Sequence, residues 1–382
     1  MKVGHQDINK LKLVILTPVH IGTGEEIEPL EYIISKNSRK FYRINFSKFM
    51  ELLDESKKKE FERKAKLPST KTIMELRTFI RDNFSQDSMK DAIIETTDVS
   101  ESFAEKYNNL LNEFASKGLR DVQINQLSIM ELYRSGTSPV IPGSSLKGSI
   151  RTAILDKLLS SKNSNSYNEK NDYIKNYFHG NKDPFDSLRV SDFVREKSDS
   201  GISIGYFVNA PIDKFDEHAF KENLSVMCEC LSMGKAYRGD IRFVVDNHLF
   251  EKEENYFFKP LRDLISSIDN LFKVCNSHYL PILENELKLI KKSKHDNLFV
   301  KALEDNYLND IKNDRIAILR IGKHSGAEAV TIEGRKIDIR KKKGEKLVKD
   351  RPTTTWYFSK DSKPNDLKEI FPCGWIILKR DN

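Results

Sequence analysis

Cysteine is scarce in this chain of 382 residues, and the spacing of its four cysteines excludes the common metal-binding motifs. No pair has the Cys-x-x-Cys spacing. The closest two, Cys228 and Cys230, would place both thiols on one side of a strand, but no His-x-x-x-His partner accompanies them. We therefore expect no zinc or other metal site, and this cysteine usage is typical of a reducing cytoplasm.

Long apolar runs are also missing from the start of the chain. The first run, residues 11–16, is only six residues long and is interrupted by Lys12. It is too short for the core of a signal peptide or for a membrane span. The sequence predicts a soluble, cytoplasmic protein with no membrane partner.

The charged residues show a basic rather than an acidic surplus. There are 64 Lys and Arg against 57 Asp and Glu, which gives a net charge of +7 and a pI near 8.9. This balance alone is weak support for a polyanionic partner, because many basic proteins bind no nucleic acid. Hydrophobic residues make up 38%, enough for packed cores, and the length favours two domains.

The first half of the chain predicts strands followed by helices. Residues 11–16, 31–35 and 40–44 have strand patterns, and the four residues "KNSR" form a hairpin connection between the last two. A helix is expected from Ser47. Residues 54–130 are polar with a mostly helical pattern, and they predict an insertion into the sheet.

The second half repeats the order of strands, helices and strands. The clearest hairpin in the chain is predicted over residues 224–247, around a turn at Gly234, and residues 160–172 are expected to form an exposed loop. A helical block is predicted over about 255–310. Further strands are predicted at 187–194, 201–212, 315–322, 329–334 and 374–380.

This block order favours an α+β fold over a regular βαβ repeat. Two ferredoxin-like (RRM-like) domains would explain it, with a largely helical insertion in the first. The predicted boundaries are 1–205 for the N-terminal domain and 206–382 for the C-terminal domain.

The stretch "VIPGSSLKGSIRTAIL", residues 140–155, has the glycine and lysine content of a phosphate-binding loop. Gly143 and Gly148 have the separation of a Walker A loop, but the lysine precedes the second glycine, so a P-loop NTPase is rejected. Pro142 and Gly143 predict a turn, and Ser144 or Ser145 can cap the helix that follows.

Lys147 and Arg151 lie four residues apart, so they are stacked one helical turn above the other. Free backbone N–H groups, two hydroxyls and two cations then converge near one helix start, and this suits a phosphate. An ordinary capped helix with solvated Lys and Arg explains the same residues, and both interpretations stay open at this point.

Four stretches in order resemble the RAMP superfamily of CRISPR effector proteins. They are "TPVHIGTGEEIEPLEYII", "PVIPGSSLKGSIRTAIL", "RVSDF" and "LRIGKHSGAEAVTI", and the ends "TTTWYF" and "FPCGWIIL" extend the similarity to nearly the full chain. The resemblance is strongest to the subunit that caps the type III-A (Csm) complex at the 3′ side of the guide RNA, the crRNA.

The resemblance implies two packed RAMP domains and membership of a ribonucleoprotein. Its partners would be the crRNA, the repeated backbone RAMP subunit and other Csm subunits, with target RNA involved only indirectly and no cofactor. It also implies a set of RNA-binding residues: His20, Gly22, Gly24, Gly143, Ser144, Ser145, Lys147, Arg151, Arg320, Lys323 and His324.

No residue is predicted to be catalytic. Some relatives cleave RNA with a histidine, but no partner base is evident near His20. Asp192 in "VSDF" is interpreted as a position that supports the fold, and His295-Asp296 lacks the second His and Asp of HD phosphohydrolases. The alternatives are an endoribonuclease that processes or trims crRNA and a purely structural assembly subunit.

Residues 335–351 form the strongest charge cluster, with nine Lys or Arg and three acidic residues, a net charge of +6. A solvated hairpin tip and a sequence-independent contact with RNA phosphates or a partner subunit are both compatible with this composition.

Overall fold

The computed structural model describes the strands and helices of most of the chain. It covers residues 6–66, 69–117, 127–160, 174, 183–195, 201–216, 218–220, 225–244, 258–293, 296–332, 337–340, 346–349 and 352–381. Ser160, the first residue of the predicted loop at 160–172, is the last residue of a helix, and the rest of that loop and most of the charge cluster at 335–351 lie outside these residues.

The described strands run from β1 to β18 in chain order. They are β1 Gln6–Ile15, β2 Gly22–Ile27, β3 Tyr32–Ser35, β4 Lys40–Ile44, β5 Ile93–Asp98, β6 Ile129–Leu132, β7 Arg134–Ser135, β8 Ser138–Pro139, β9 Leu188–Val190, β10 Ile202–Pro211, β11 Val226–Leu231, β12 Ala236–Val244, β13 Ala317–Arg320, β14 Ile337–Arg340, β15 Lys346–Lys349, β16 Thr354–Ser359, β17 Phe371–Pro372 and β18 Trp375–Arg380.

The described helices are numbered in the same way. They are α1 Phe46–Leu52, α2 Glu55–Ala65, α3 Thr70–Asn83, α4 Glu101–Lys117, α5 Gly143–Ser160, α6 Phe258–Leu264, α7 Ile268–Lys292, α8 Leu298–Asn306 and α9 Leu308–Lys312. No helix in the described residues has the length and apolar content needed to cross a membrane.

A five-stranded antiparallel sheet has the order β13-β18-β1-β12-β9. Alternate residues of β1, among them Leu11, Leu13 and Ile15, are fully buried, as the period of a strand requires. Helices α5 and α7 pack against this sheet and against each other.

A six-stranded sheet has the order β17-β16-β10-β11-β6-β2, with one parallel pair between β11 and β6. The predicted hairpin over 224–247 is wrong, because β11 belongs to this sheet and β12 to the five-stranded one. The turn at Gly234 is present, and the Gly234 N–H donates to Ile15 O at 2.8 Å. The local sequence specifies the turn, whereas each strand pairs where its apolar side chains are best buried.

The β3–β4 hairpin and the first part of the predicted insertion, up to β5, form a subdomain with its own core, whereas α4 of the insertion packs into the main core. The hairpin of β3 and β4 is confirmed, and β5 pairs with β4 to make a three-stranded sheet. Side chains such as Tyr42, Phe49 and Phe79 form a cluster separate from the main core. The predicted insertion, residues 54–130, is mostly helical, as predicted, but it also contributes β5 and ends in β6.

The chain is therefore a mixed α/β protein, with strands from both halves in each large sheet. Strand β10 spans the predicted boundary at residues 205 and 206, and the division into two consecutive ferredoxin-like domains stays a prediction. The predicted strand at 329–334 is wrong where it is described, because Glu328–Val330 is a 3-10 helix.

Candidate nucleic-acid interface

Three loops meet at one edge of the five-stranded sheet. Strands β1 and β13 end there and β18 begins there, because the three strands are antiparallel neighbours. The Lys323 N–H donates to His20 O at 2.7 Å, and the Gly374 N–H donates to Pro18 O at 3.0 Å. Gly322 has a φ of 83°, and a Cβ there would collide with His20 O, so only glycine lets the loops approach this closely.

His20 supports this loop cluster from inside. Its side chain is only 2% exposed, and its Nδ1 lies 2.7 Å from Glu229 O. Because a carbonyl oxygen only accepts, Nδ1 carries a proton. Burial lowers the pKa of His20, a backbone hydrogen bond to Glu229 partly opposes this, and the charge of Lys323 lowers it further. A buried neutral imidazole packed under Gly22 positions the loop and presents no acid to solvent.

His324 occupies a strained position in the second loop. Its φ is 62°, in the left-handed region that few non-glycine residues adopt. The ring stacks on Trp356, with centroids 4.6 Å apart, and meets the edge of Phe207 at 4.5 Å. Burial, together with the nearby Lys323 charge, lowers the pKa of His324 to about 4. The imidazole is therefore an aromatic packing group at neutral pH.

Arg320, another predicted RNA ligand, is an internal residue with 4% exposure. Its guanidinium forms an ion pair with Glu286 at 3.2 Å, donates from Nε to Cys373 O at 2.8 Å and lies 4.9 Å from the centre of the Trp375 ring. The exposed cation of this loop is the neighbouring Lys323.

The start of α5 differs from the predicted cap. The helix begins at Gly143, before both serines, and the Gly143 N–H donates to Asp192 Oδ1 at 2.8 Å. The expected capping by Ser144 or Ser145 is therefore wrong, and Asp192 has the structural role expected of it. A Cβ on Gly143 would collide with Val190 O, so glycine is required for this packing. The Asp192 carboxylate already faces the positive end of the helix dipole.

Lys147 and Arg151 lie one turn apart and are both partly buried. The Arg151 guanidinium forms an ion pair with Asp183 at 2.5 Å and lies 4.5 Å from the centre of the Phe185 ring. Burial lowers the pKa of Lys147, although the charges of Asp186 and Asp183 oppose this effect. An RNA phosphate at this position would compete with Asp183 for Arg151.

Ser149, which the sequence did not single out, joins α5 to the loop cluster. Its hydroxyl donates to Arg320 O at 2.9 Å and lies 2.6 Å from the Tyr279 hydroxyl on α7. The two predicted motifs are thus joined through one buried serine. The sequence contains an indication of this role, because a serine on the apolar side of α5 requires a hydrogen-bond partner.

An ion network centred on Arg134 supports the loop that contains His20. Arg134 pairs with both oxygens of Glu229 at 2.8 Å and with Glu95 at 3.0 Å. Burial raises the pKa of Glu95, and the neighbouring Glu229 charge raises it further. Glu229 is fully buried, and a single acid within the apolar run "VMCECL" was the sequence signal for it.

The predicted ligands therefore fall into exposed and buried groups. Gly22, Gly24, Ser144 and Lys323 are exposed, while Ser145, Lys147 and Arg151 are partly buried.

The thiols of Cys228 and Cys230 lie 3.9 Å apart on one side of β11, as predicted, and both are free. His295 lies outside the described residues, and within them no group of three His, Cys, Asp or Glu residues is placed to hold a metal ion.

Comparison with known proteins identifies one matching family and two relatives of this chain. The sequence model described as the RAMP superfamily matches residues 12–323. A protein of Methanocaldococcus jannaschii named "CRISPR system Cms protein Csm5" is 22% identical over 330 residues, which cover 82% of this chain and 70% of the relative. A Streptococcus thermophilus protein of the same name is 32% identical over 165 residues, 42% of this chain and 41% of the relative.

Two solved structures share the fold. A chain of a type III-A CRISPR-Cas Csm-crRNA-target RNA ternary complex, determined by cryo-EM, aligns with a TM-score of 0.61 at 18% identity. That alignment covers 97% of this chain and 100% of the other. The crystal structure of T.onnurineus Csm5 aligns with a TM-score of 0.55 at 17% identity, with coverage of 96% and 99%.

Proposed function

This chain belongs to the RAMP superfamily, and from that premise we propose that it is a non-catalytic, crRNA-binding subunit of a type III-A CRISPR (Csm) effector complex. Its partners are the crRNA and the other Csm subunits, and it contacts target RNA only through the complex. Within the complex it caps the row of backbone subunits at the 3′ end of the crRNA and supports crRNA maturation in antiviral defence. The two large sheets correspond to two ferredoxin-like units in this proposal.

The convergence of three motif loops at one sheet edge carries this proposal. Gly22 and Gly24 are exposed, no atom lies within 4 Å of a Cβ placed on Gly24, and Lys323 extends into solvent beside them. Exposed glycine backbone allows a phosphodiester chain to approach, and a flexible cation neutralises a phosphate without reading a base. The names of the relatives and of the complex support RNA as the ligand.

The burial of His20 supports a binding role over cleavage. A general acid–base catalyst must reach the proton that it transfers, directly or through one water. The Nδ1 of His20 is engaged by Glu229 O, and its ring is packed beneath Gly22. Asp192, the other candidate acid, accepts the Gly143 N–H. Both groups have structural partners that account for their positions.

Crosslinking within the reconstituted complex tests the binding role. Photoreactive nucleotides placed along the crRNA should crosslink near its 3′ end to peptides containing residues 17–24, 140–151 and 320–326. The Lys323→Gln variant should reduce this yield, whereas Lys363→Gln, an exposed lysine outside these loops, should not. Crosslinks confined to the other subunits would contradict the proposed contact.

Incubation of the purified chain with crRNA, with magnesium or with EDTA, tests for cleavage. No cleavage is expected under either condition. Cleavage by the wild-type chain that is lost in a folded His20→Gln variant would establish the endoribonuclease alternative instead.

A further inference from the structure

One face of the five-stranded sheet is exposed and strongly cationic over the half that surrounds Lys12, remote from the loop cluster. Leu11 and Leu13 of β1 point into the core, so Lys10 and Lys12 point outwards, and β12 alternates in the same way. The described cations of this face are Lys10, Lys12, Arg189, Arg238, Arg242 and Lys379. The face carries one acidic residue on its described strands, Asp240, and Asp381 lies at its border.

Like charges lie directly opposite each other on neighbouring strands. Lys12 is paired in register with Arg238 on one side and with Lys379 on the other. Arg242 faces Arg189 in the same manner. Like charges in directly opposed positions destabilise a sheet, so folding alone gives no reason for this row.

The acids near this face compensate only part of its charge. Asp381 pairs with Arg238 at 2.8 Å and Asp240 pairs with Arg242 at 2.6 Å. Within the described part of the chain, neither Lys12 nor Lys379 has a carboxylate within ion-pair distance. The central pair of the row therefore lacks an anion of its own.

A shallow cavity of about 350 Å³ lies over the same row. Lys12, Arg238 and Lys379 line it, together with Arg315 and Arg380 from the sheet border and the carboxylate of Asp381. Five cationic side chains thus surround one concave surface, and Arg238 and Arg380 each retain about two-fifths of their side-chain exposure. Three of the five are ion-paired, Arg238 with Asp381, Arg315 with Asp310 and Arg380 with Asp269, so Lys12 and Lys379 are the cations that remain for a phosphate. The depression has the charge that a phosphate group requires.

We propose that this outer sheet face is a second RNA-binding surface, which holds backbone phosphates of a single strand between Lys12, Lys379 and Arg238. Protein interfaces are depleted in lysine at their centres, whereas nucleic-acid interfaces are strongly positive, so this composition favours RNA over an acidic protein. Lys12 lies three residues before the end of β1, roughly 10 Å along the strand from the loop cluster. The inference rests on the proposed function only for the identity of the polyanion as RNA.

Salt-dependent affinity of the full chain for a labelled oligouridylate tests this surface. In Lys12→Gln/Lys379→Gln, the slope of log affinity against log salt should become shallower by about 1.4, since each single-strand phosphate contact contributes about 0.7. Each single variant should change it by about 0.7. The melting temperature of the free double variant should rise, because the repulsion between opposed cations is removed.

The matched control is Lys48→Gln/Lys363→Gln, which removes the same charge from exposed lysines elsewhere. It should change neither the slope nor the melting temperature. An unchanged slope in the face variant, or an equal loss in the control, would overturn the proposal. Binding of oligoglutamate, but not oligouridylate, through Lys12 and Lys379 would assign the face to an acidic protein. Failure of the chain to join a Csm complex would leave the oligouridylate result unaffected, so the two proposals are tested separately.

Discussion

Of two glycines in the first turns of α5, Gly143 is required by packing and Gly148 is not. Gly143 packs against the backbone at Val190, where a Cβ would collide with the carbonyl oxygen, whereas a Cβ on Gly148 would meet no atom within 4 Å beyond the adjacent backbone of its own helix. Gly143→Ala should therefore lower the free energy of unfolding by about 1–3 kcal/mol. Gly148→Ala should raise it by about 0.5–1 kcal/mol, because alanine favours a helix interior. Urea unfolding of both variants measures these changes.

The same two substitutions distinguish an effect on protein stability from an effect on crRNA binding. Since the fold gains nothing from glycine at 148, its use there fits close approach of an RNA backbone. Gly148→Ala should then weaken crRNA binding in a more stable protein. Equal destabilisation by both substitutions would contradict the different packing assigned to the two positions.

His324 makes the stability of the fold depend on pH. Its pKa is lowered from the ordinary 6.5 to about 4, because burial disfavours the charged ring and Lys323 repels it. The unfolded state binds a proton below pH 6.5 and the folded state only below about 4, so stability should fall as the pH decreases between these values. His324→Asn, which tolerates the positive φ, should flatten this decrease in urea titrations. The exposed His218→Asn serves as control, and an unchanged pH slope in His324→Asn would contradict the assignment.

Sequence could identify the motif residues but not the direction of their side chains. His20 and Arg320 stand in the loops that the resemblance indicated, yet both side chains are buried. Their orientation depends on partners remote in sequence, Glu229 and Glu286, and the residues around His20 and Arg320 do not indicate these pairings. Lys323 is exposed because its loop turns outwards at Gly322.

At the scale of elements, the pair of Arg134 and Glu229 connects β6 and β7 to β11, and Glu95 extends it to the insertion. Arg134→Met should leave a fully buried carboxylate without its cation and reduce the free energy of unfolding by roughly 3–5 kcal/mol. Adding Glu229→Gln should recover part of this loss, because the uncompensated charge disappears. Chemical unfolding of the two single variants and the double variant gives the coupling energy.

The exposed pair of Lys360 and Glu369 provides the comparison for that cycle. Both side chains are about half exposed, so Lys360→Met should change stability by less than about 1 kcal/mol. If Arg134→Met cost no more than Lys360→Met, the network would not join the insertion to the main sheets.

Helices, strands and turns were predicted correctly where the local sequence pattern determines them. The prediction failed where strand pairing with a distant segment determines the structure. The short turn "KNSR" between two β-rich runs predicted the β3–β4 hairpin, because both strands are too close in sequence to separate. The turn at Gly234 had an equally good pattern, but β12 pairs with β1, over two hundred residues away. Burial of the apolar residues of β1 between β12 and β18 outweighs the proximity of β11.

The molecule as a whole combines one large core with a smaller one. The main cluster includes residues of both large sheets, α4, α5 and α7, while the sheet of β3, β4 and β5 and helices α1, α2 and α3 enclose the smaller cluster. Composition and block order predicted a mixed fold and a mostly helical insertion. They could not predict that strands from both halves share each sheet, since that depends on contacts between segments far apart in sequence.

The two proposed RNA surfaces should act additively if one strand contacts both. Lys147→Gln/Lys323→Gln should make the salt slope of crRNA affinity shallower by about 1.4, and Lys12→Gln/Lys379→Gln by a similar amount. Distant sites without shared partners contribute independently. The salt slope measured with full-length crRNA should therefore become shallower by about 2.8 in the quadruple variant. On an oligonucleotide too short to reach both surfaces, the quadruple variant should lose less than this sum. An effect of the quadruple variant no larger than that of either pair on full-length crRNA would show that the strand does not contact both surfaces at once.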